Sequence, residues 1–339
     1  MINLNFRRGS AFASKEAREY LKTIQPQEIN TITVIRHAAI GDFMNIRPFL
    51  IGIREYFPNA KITLSVNRSA MYGMPNDLID DVHIMDKDNP DDKSKKTSIF
   101  SRIKQAKTLP PQDVIFDLTD SSMTLLLIIF SQAKLKIGYP YRKFRRRFYD
   151  MSVLRSDFNL EADTVQHMLN LFGFKKNHPL RYGYENTYPK NIQKRIVYFA
   201  GASMKNKCWE EEKFVQLIKQ LSTKYNDYEH VILQGIKDDE KFEDIYSSFE
   251  SNTNVSLHEP MPLEETMQYL ADTKCLVSND TGVRNMAIAV ETATVGIFFT
   301  TIPYRYWPKD NKHECVFNMA YSSPSIDDVF EATNKVLKV

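Results

Sequence analysis

TITVIRHAAIGDFMNIRPFLIGIREYFPNAKITLSV, residues 31–66, is the stretch that decides the fold class. Residues 31–36 are rich in β-branched side chains, as a buried strand requires. Residues 37–42 form a loop containing Gly41. Ile46, Phe49, Leu50 and Ile53 then recur at helical spacing. Pro48 predicts a helix that starts just before it, because only in the first turn does its missing N–H cost nothing. Pro58-Asn59 ends that helix, and residues 61–66 make the next strand. Strand, helix, strand is a βαβ unit, the connection a parallel pair needs.

Working outward, a second unit follows, with a strand at 114–118 and an apolar helical segment at 123–130. The second half alternates more cleanly. Strands are expected at 195–200, 230–233, 254–257, 274–278 and 294–299. Helices are expected at 210–221 and 263–271, with another opening near Thr281. This order predicts an α/β protein with two domains built on doubly wound parallel sheets. The polar stretch 181–191, with Gly183 and Pro189, reads as the linker. The expected layout is an N-terminal appendage at 1–30, a first domain at 31–185, a second at 186–324 and a C-terminal helix at 325–339. Ser325 and Asp328 open that last helix in a capping-box-like arrangement. Ligands are then expected at the carboxyl ends of the strands, in a cleft between the domains.

A chain of 339 residues suits two domains, and 42% hydrophobic with 26% charged residues is the balance of a soluble globular protein. The apolar segment 123–130 is too short to cross a membrane. The N-terminus lacks the basic-then-apolar-then-small pattern of a signal peptide, so a cytoplasmic location is expected. Cys208, Cys275 and Cys315 are far apart and show no redox or metal-ligand spacing. A net charge of +3 does not point to nucleic acid. The charge is unevenly placed, however: Arg142, Lys143, Arg145, Arg146 and Arg147 crowd together around Phe144.

Three loops after strands have the chemistry of a site. Asn279-Asp280-Thr281-Gly282 would present free N–H groups and a helix dipole to an anion. Taken alone, the same residues also read as a helix cap. Gly201-Ala202-Ser203, followed by Lys205 and Lys207, could hold phosphate oxygens or be an ordinary surface loop. Gly41-Asp42 places a carboxylate at a strand end, as a general base or as an N-cap.

Together these loops resemble the signatures of glycosyltransferase family 9, the ADP-heptose:lipopolysaccharide heptosyltransferases. The segments are VIRHAAIGDFMNIRPFLIGIREYFPNAKITL (34–64), YFAGASMKNKCWEEEKFVQLIKQL (198–221) and LVSNDTGVRNMAIAV (276–290). DVIFDLTD (113–120), KLKIGY (134–139) and DTVQHMLNLFGF (163–174) are also similar to family segments. The resemblance implies a GT-B fold, with two Rossmann-like domains facing a central cleft. It implies an inverting, metal-independent enzyme with no cofactor beyond a nucleotide-sugar co-substrate. Heptose would move from ADP-heptose to Kdo or heptose of the lipopolysaccharide or lipooligosaccharide inner core. The first domain would bind the acceptor and the second the donor.

Position by position, Asp42 matches the family's catalytic base and Lys207 a residue that offsets leaving-group charge. Ser203, Asp280, Thr281 and Gly282 match diphosphate-binding positions. Met261 matches a position near the adenine, and either Asp239 or Glu240 matches the ribose-binding carboxylate. Arg142, Lys143, Arg145, Arg146 and Arg147 fall on the acceptor side. They suit an anionic glycolipid, the cytoplasmic face of the inner membrane that bears it, or simply a solvated loop. His167, Trp209 and Trp307 read as packing residues.

The chain departs from the family pattern in four places. Asn285 replaces the usual histidine, and it cannot carry a positive charge. Residues 299–303 replace a Gly-Pro-Thr-Asp-Pro turn, Ala202 stands where some members have a hydroxyl, and Arg284 adds a charge. Two alternatives follow: the same reaction with a different nucleotide-sugar donor, or a nucleotide-sugar-binding protein without turnover.

Overall fold

The computed structural model describes residues 11–88, 96–140, 142–175, 178–237, 240–249, 251–318, 320 and 322–338. The chain divides into two compact units, Met1–Arg181 and Tyr182–Val339.

The first unit contains β1 (Phe12–Ala13), α1 (Lys15–Thr23), β2 (Thr31–Ile35), α2 (Ile40–Tyr56), β3 (Lys61–Val66) and β4 (Asp81–Ile84). It continues with α3 (Ile99–Ala106), β5 (Gln112–Asp117), α4 (Ser122–Phe130), β6 (Ala133–Gly138), β7 (Met151–Ser152) and α5 (Glu161–Asn170). The sheet order is β1-β7-β6-β5-β2-β3-β4. All its pairings are parallel except β1 with β7. The order reverses between β2 and β5. Alternation along the strands supplies both faces. Ile32, Val34, Val114 and Phe116 pack with α2 and α5 on one side, while Ile35 and Ile115 pack with α3 and α4 on the other.

Pro48 corrects the expected start of α2. The helix begins at Ile40, and Pro48 lies in its middle. An interior proline costs about 3 kcal/mol. Phe43, Ile46, Phe49, Leu50 and Ile53 are all fully buried from the same helix, at about 1.5–3 kcal/mol each, so burial wins.

Residues 11–30 are also corrected, since they are part of the fold rather than an appendage. Phe12 and Ala13 pair with Ser152 and Met151, Ala17 is buried, and Tyr20, Leu21 and Ile24 pack on the core. Ser14 caps α1 by accepting a hydrogen bond from the Ala17 N–H at 3.0 Å.

The second unit contains β8 (Gln193–Phe199), α6 (Glu211–Lys224), β9 (Glu229–Leu233), α7 (Glu243–Tyr246), β10 (Val255–His258) and α8 (Leu263–Ala271). It ends with β11 (Thr273–Asn279), α9 (Gly282–Ala289), β12 (Ala293–Phe298), β13 (His313–Phe317) and α10 (Ile326–Leu337). Its sheet is parallel throughout, in the order β10-β9-β8-β11-β12-β13, with the reversal between β8 and β11. The C-terminal helix α10 is part of this unit, packed on β12, β13 and α6. Ser325 caps it, accepting from the Asp328 N–H at 3.2 Å. Among the described residues, no helix is long and apolar enough to cross a membrane.

Candidate functional site

In the first unit the reversal point between β2 and β5 is the place where a doubly wound sheet opens a ligand crevice. Asp42 stands there, in the first turn of α2, and is half-buried. One carboxylate oxygen, Oδ1, accepts a hydrogen bond from Arg36 Nη2. Arg36 leaves the end of β2 and is buried. Its Nη1 donates to the Leu118 carbonyl at 2.7 Å, beyond β5, and to Glu161 Oε1 at 3.2 Å. Glu161 opens α5, is buried, and also receives Arg155 Nη2. The charges therefore alternate from Asp42 through Arg36 and Glu161 to Arg155. Oδ2 of Asp42 makes no hydrogen bond among the described residues. The pinned oxygen sets the orientation of the carboxylate.

The basic turn lies beyond β6. Residues 143–148 form a 3₁₀ helix, in which side chains three apart share a side. Arg145 and Phe148 point inward. Arg145 Nη1 donates to Asp120 Oδ1 at 2.7 Å and to the Asp120 carbonyl at 3.0 Å. This corrects the reading of Arg145 as an acceptor ligand: its guanidinium is buried and committed to a carboxylate. Arg146 stacks on the Phe12 ring, 4.2 Å from its centroid. Arg142, Lys143 and Arg147 are exposed. Tyr141 is outside the described residues.

The turn rests on a further buried group. Tyr149 donates its hydroxyl to Asp117 Oδ2 at 2.7 Å, while Asp117 Oδ1 accepts from the N–H groups of Thr119 and Asp120. Burial pushes the Asp117 carboxyl above the usual range, and these donors oppose the rise.

In the second unit the site gathers at the carboxyl ends of four neighbouring strands. Lys207 follows β8 and Asp280 follows β11, on the two sides of the reversal point. Their Nζ and Oδ2 atoms form a 2.7 Å ion pair that is largely buried. Asn279, fully buried, ties the two loops together. Its Oδ1 accepts from the Trp209 N–H at 3.0 Å and its Nδ2 donates to the Ala200 carbonyl at 2.5 Å. The sequence shows Asn279 in this loop and inside the signature, but not that its amide joins the loops after β8 and β11. Trp209 is buried, edge-on to Phe214, and donates to the Pro324 carbonyl at 3.0 Å.

Thr281 occupies the N-cap of α9 but makes no side-chain capping bond, and the Asp280 carboxylate is turned to Lys207. The first N–H groups of α9 therefore have no side-chain cap, which is the condition for an anion site rather than a capped end. Ser203 lies exposed before Lys207. Glu240, after β9, folds over Gly235 and Gly201. A Cβ on Gly235 would come within 2.2 Å of Glu240 Oε2, and one on Gly201 within 3.0 Å of its Cγ. Asp239 is outside the described residues. Met261 follows β10, its carbonyl accepting from the Thr266 hydroxyl at 3.2 Å. Asn285 is buried and makes no side-chain hydrogen bond among the described residues.

Arg284 does not reach the surface. Its guanidinium lies 5.2 Å from the Phe298 ring centroid, and Nη1 donates to the Tyr306 carbonyl at 2.6 Å. Its Nε and Nη2 are buried without partners, in room left by Gly296. The Arg284 pKa is lowered by that burial. Among the described residues, no group of three or more His, Cys, Asp or Glu side chains gathers as a metal site would need.

The family model described as glycosyltransferase family 9 (heptosyltransferase) matches residues 102–334. No curated protein matches the chain. Among solved structures, E. coli heptosyltransferase WaaC with ADP superposes with a TM-score of 0.71 at 16% identity, over 90% of this chain and 99% of that one. A family 9 glycosyltransferase from Veillonella parvula gives 0.70 at 18%, over 93% and 99%. E. coli ADP-heptose lps heptosyltransferase II gives 0.64 at 18%, over 91% and 98%. At these identities the structures establish the GT-B fold.

Proposed function

The chain belongs to glycosyltransferase family 9, the heptosyltransferase family, and from that premise we propose an inverting, metal-independent transfer of heptose from ADP-heptose to Kdo or heptose of a lipopolysaccharide inner core. The observation that carries this reading is the Lys207–Asp280 pair beside the uncapped start of α9, at the reversal point of the second sheet. Such a place suits a diphosphate.

In the proposed reaction, Asp42 Oδ2 takes the proton of the acceptor hydroxyl. The hydroxyl oxygen attacks the anomeric carbon from the face opposite the diphosphate, and the bond from that carbon to the diphosphate oxygen breaks. The centre inverts and ADP leaves. Lys207 and the N–H groups of α9 stabilise the charge that grows on the departing diphosphate. Thr281 and Gly282 contribute the close backbone approach, and Ser203 a hydroxyl. Glu240 lies where a carboxylate can accept hydrogen bonds from a ribose, and Met261 at the rim suits contact with a base. Arg142, Lys143 and Arg147 suit an anionic glycolipid acceptor.

Asp42→Asn tests the base. Loss of a general base lowers kcat by about 10²–10⁴-fold with KM nearly kept. Unchanged transfer in that variant would sink the mechanism. Lys207→Ala is expected to cost about 10²–10³-fold in kcat.

A second reading, a different nucleotide-sugar donor, is favoured by Asn285 in place of the usual histidine and by the altered 299–303 turn. Thermal shifts with ADP, UDP, GDP and CMP separate the two. A larger shift with any nucleotide but ADP selects the second.

A further inference from the structure

Arg284 is costly where it stands, and the transfer chemistry above does not use it. It is 1% exposed. It is the third residue of α9, where the helix dipole opposes a cation. Among the described residues no carboxylate pairs with it, and its Nε and Nη2 have no partner. A buried charge without a counter-ion is strongly unfavourable, whereas an apolar side chain of similar volume fills the same space at no such cost. Packing alone therefore does not account for an arginine here.

What it holds is the loop after β12. Gly296 in β12 leaves its room, since a Cβ there would lie 2.4 Å from Arg284 Nε. Phe298, two residues on and so on the same face of the strand, meets the guanidinium with its ring. From this seat Nη1 donates to the Tyr306 carbonyl at 2.6 Å. The next residue, Trp307, donates its indole N–H to the His313 carbonyl at 2.7 Å, at the start of β13. Two side-chain hydrogen bonds thus fix the far end of the 299–307 loop, one from α9 and one to β13. The near end leaves the sheet beside the diphosphate turn, because β12 runs next to β11 with Ile297 opposite Asn279. Arg284 and the 299–303 turn are separate departures in the sequence, and in the structure Arg284 grips the loop that contains that turn.

We propose that Arg284 is a positioning residue for the donor, clamping the 299–307 loop to the start of α9 and adding a fixed positive charge to the helix end where the diphosphate lies. The guanidinium is enclosed, so it acts through the loop and through its field, not by touching the ligand. Lys207 and Arg284 stand against Asp280 there, together with the positive end of α9. An anion completes that balance, and a nucleoside diphosphate supplies one. The inference rests on the diphosphate reading given above, and it adds to that reading a residue and a loop.

The test compares the full chain with Arg284→Met, Arg284→Lys and Gly296→Ala. Arg284→Met removes the cation, while in Gly296→Ala the arginine stays but the new methyl displaces its Nε. Thermal melts set an assay temperature at which the variants are folded, and Gly296→Ala carries the comparison if Arg284→Met does not fold. Trp307 reports the loop. Trp209, the other tryptophan of the chain, is 1% exposed, so acrylamide quenches Trp307 first. Without nucleotide, Arg284→Met and Gly296→Ala should show a larger quenching constant than the parent. In calorimetric titrations with ADP, UDP and GDP, both should bind the nucleotide that the parent prefers about tenfold more weakly, within the usual span of coupling between sites. Donor KM should rise alike, with acceptor KM unchanged. Arg284→Lys, which keeps the charge and a donor group, should recover part of the quenching and of the affinity. Parent-like quenching in the folded Met and Ala variants would overturn the clamp, and looser loops with parent-like nucleotide affinity would overturn its role toward the donor. A Lys variant no better than Met would reduce the residue to packing. A parent that binds none of the three nucleotides would instead sink the diphosphate reading, and the clamp would then stand or fall on the quenching alone.

Discussion

Glu240 is held by two residues without side chains. Gly235 and Gly201 leave the space that its methylene and carboxylate fill, and Lys237 Nζ approaches Oε1 at 3.2 Å. If Glu240 accepts hydrogen bonds from the donor's ribose, Glu240→Gln should raise the donor KM by about 10–100-fold and change kcat little, since a charged hydrogen bond is worth about 1.5–3 kcal/mol. Gly235→Ala should produce a similar KM effect without touching the carboxylate, because the new methyl displaces Glu240. Steady-state kinetics on both variants checks this, and a normal donor KM in Gly235→Ala removes Glu240 from the ribose site. The positions of Asp42, Lys207 and Asp280 beyond strand ends were legible because each follows a strand that is itself legible. Arg36 and Glu161 were not. They lie 125 residues apart, and nothing local in either segment announces that they meet over Asp42.

At the scale of elements, β2, β3, β5, β8, β9 and β11 were readable as short runs of β-branched and apolar residues. β4, β6 and β13 were not, for physical reasons. β6 has the sequence AKLKIG, yet Lys136 is partly enclosed, and its Nζ donates to the carbonyls of Ile128 and Ser131 at the end of α4. A lysine serving as a helix C-cap counts as polar in any periodicity, so the strand is hidden. β4 and β13 are edge strands with a histidine and a carboxylate each, the composition that edges tolerate. The 143–148 turn shows the same limit: five cations in one cluster look equivalent in sequence, and only the three-residue helical repeat separates Arg145 from Arg147. Arg145→Met should therefore lower stability by about 3–5 kcal/mol, because it leaves the buried Asp120 carboxylate without its cation. Urea unfolding measures that loss. An acceptor ligand would behave in the opposite way, with a raised acceptor KM and an unchanged unfolding curve.

For the whole molecule, both units share a dependence on neutral, buried histidine. His37 in the first unit is pushed down to about 3, by burial first and then by neighbouring His83. Its Nε2 lies 3.2 Å from Ser65 Oγ. His313 in the second unit is also pushed down to about 3, by burial and then by Arg284 and Lys312. Its Nδ1 lies 3.0 Å from Thr294 Oγ1. His83 and His230 are lowered as well, chiefly by burial. A histidine whose folded pKa lies below its unfolded value of about 6.5 binds no proton in the fold while the unfolded chain does. Its contribution is complete above that pH and is lost as pH falls toward 3. His37 and His313 should each remove about 1.4 kcal/mol per pH unit below about 6.5, or roughly 2 kcal/mol between 6.5 and 5. Neither unit can escape this, because each has its own buried histidine, so acid should weaken both well before most carboxylates titrate. Unfolding in urea at pH 7.5, 6.0 and 5.0 should show the decline, and His313→Gln should make it shallower for the second unit, where His230 remains, while leaving the first on its original slope. A stability that stays level down to pH 5 would mean that these imidazoles take up protons inside the fold, and that the packing around Ser65 and Thr294 opens to let them.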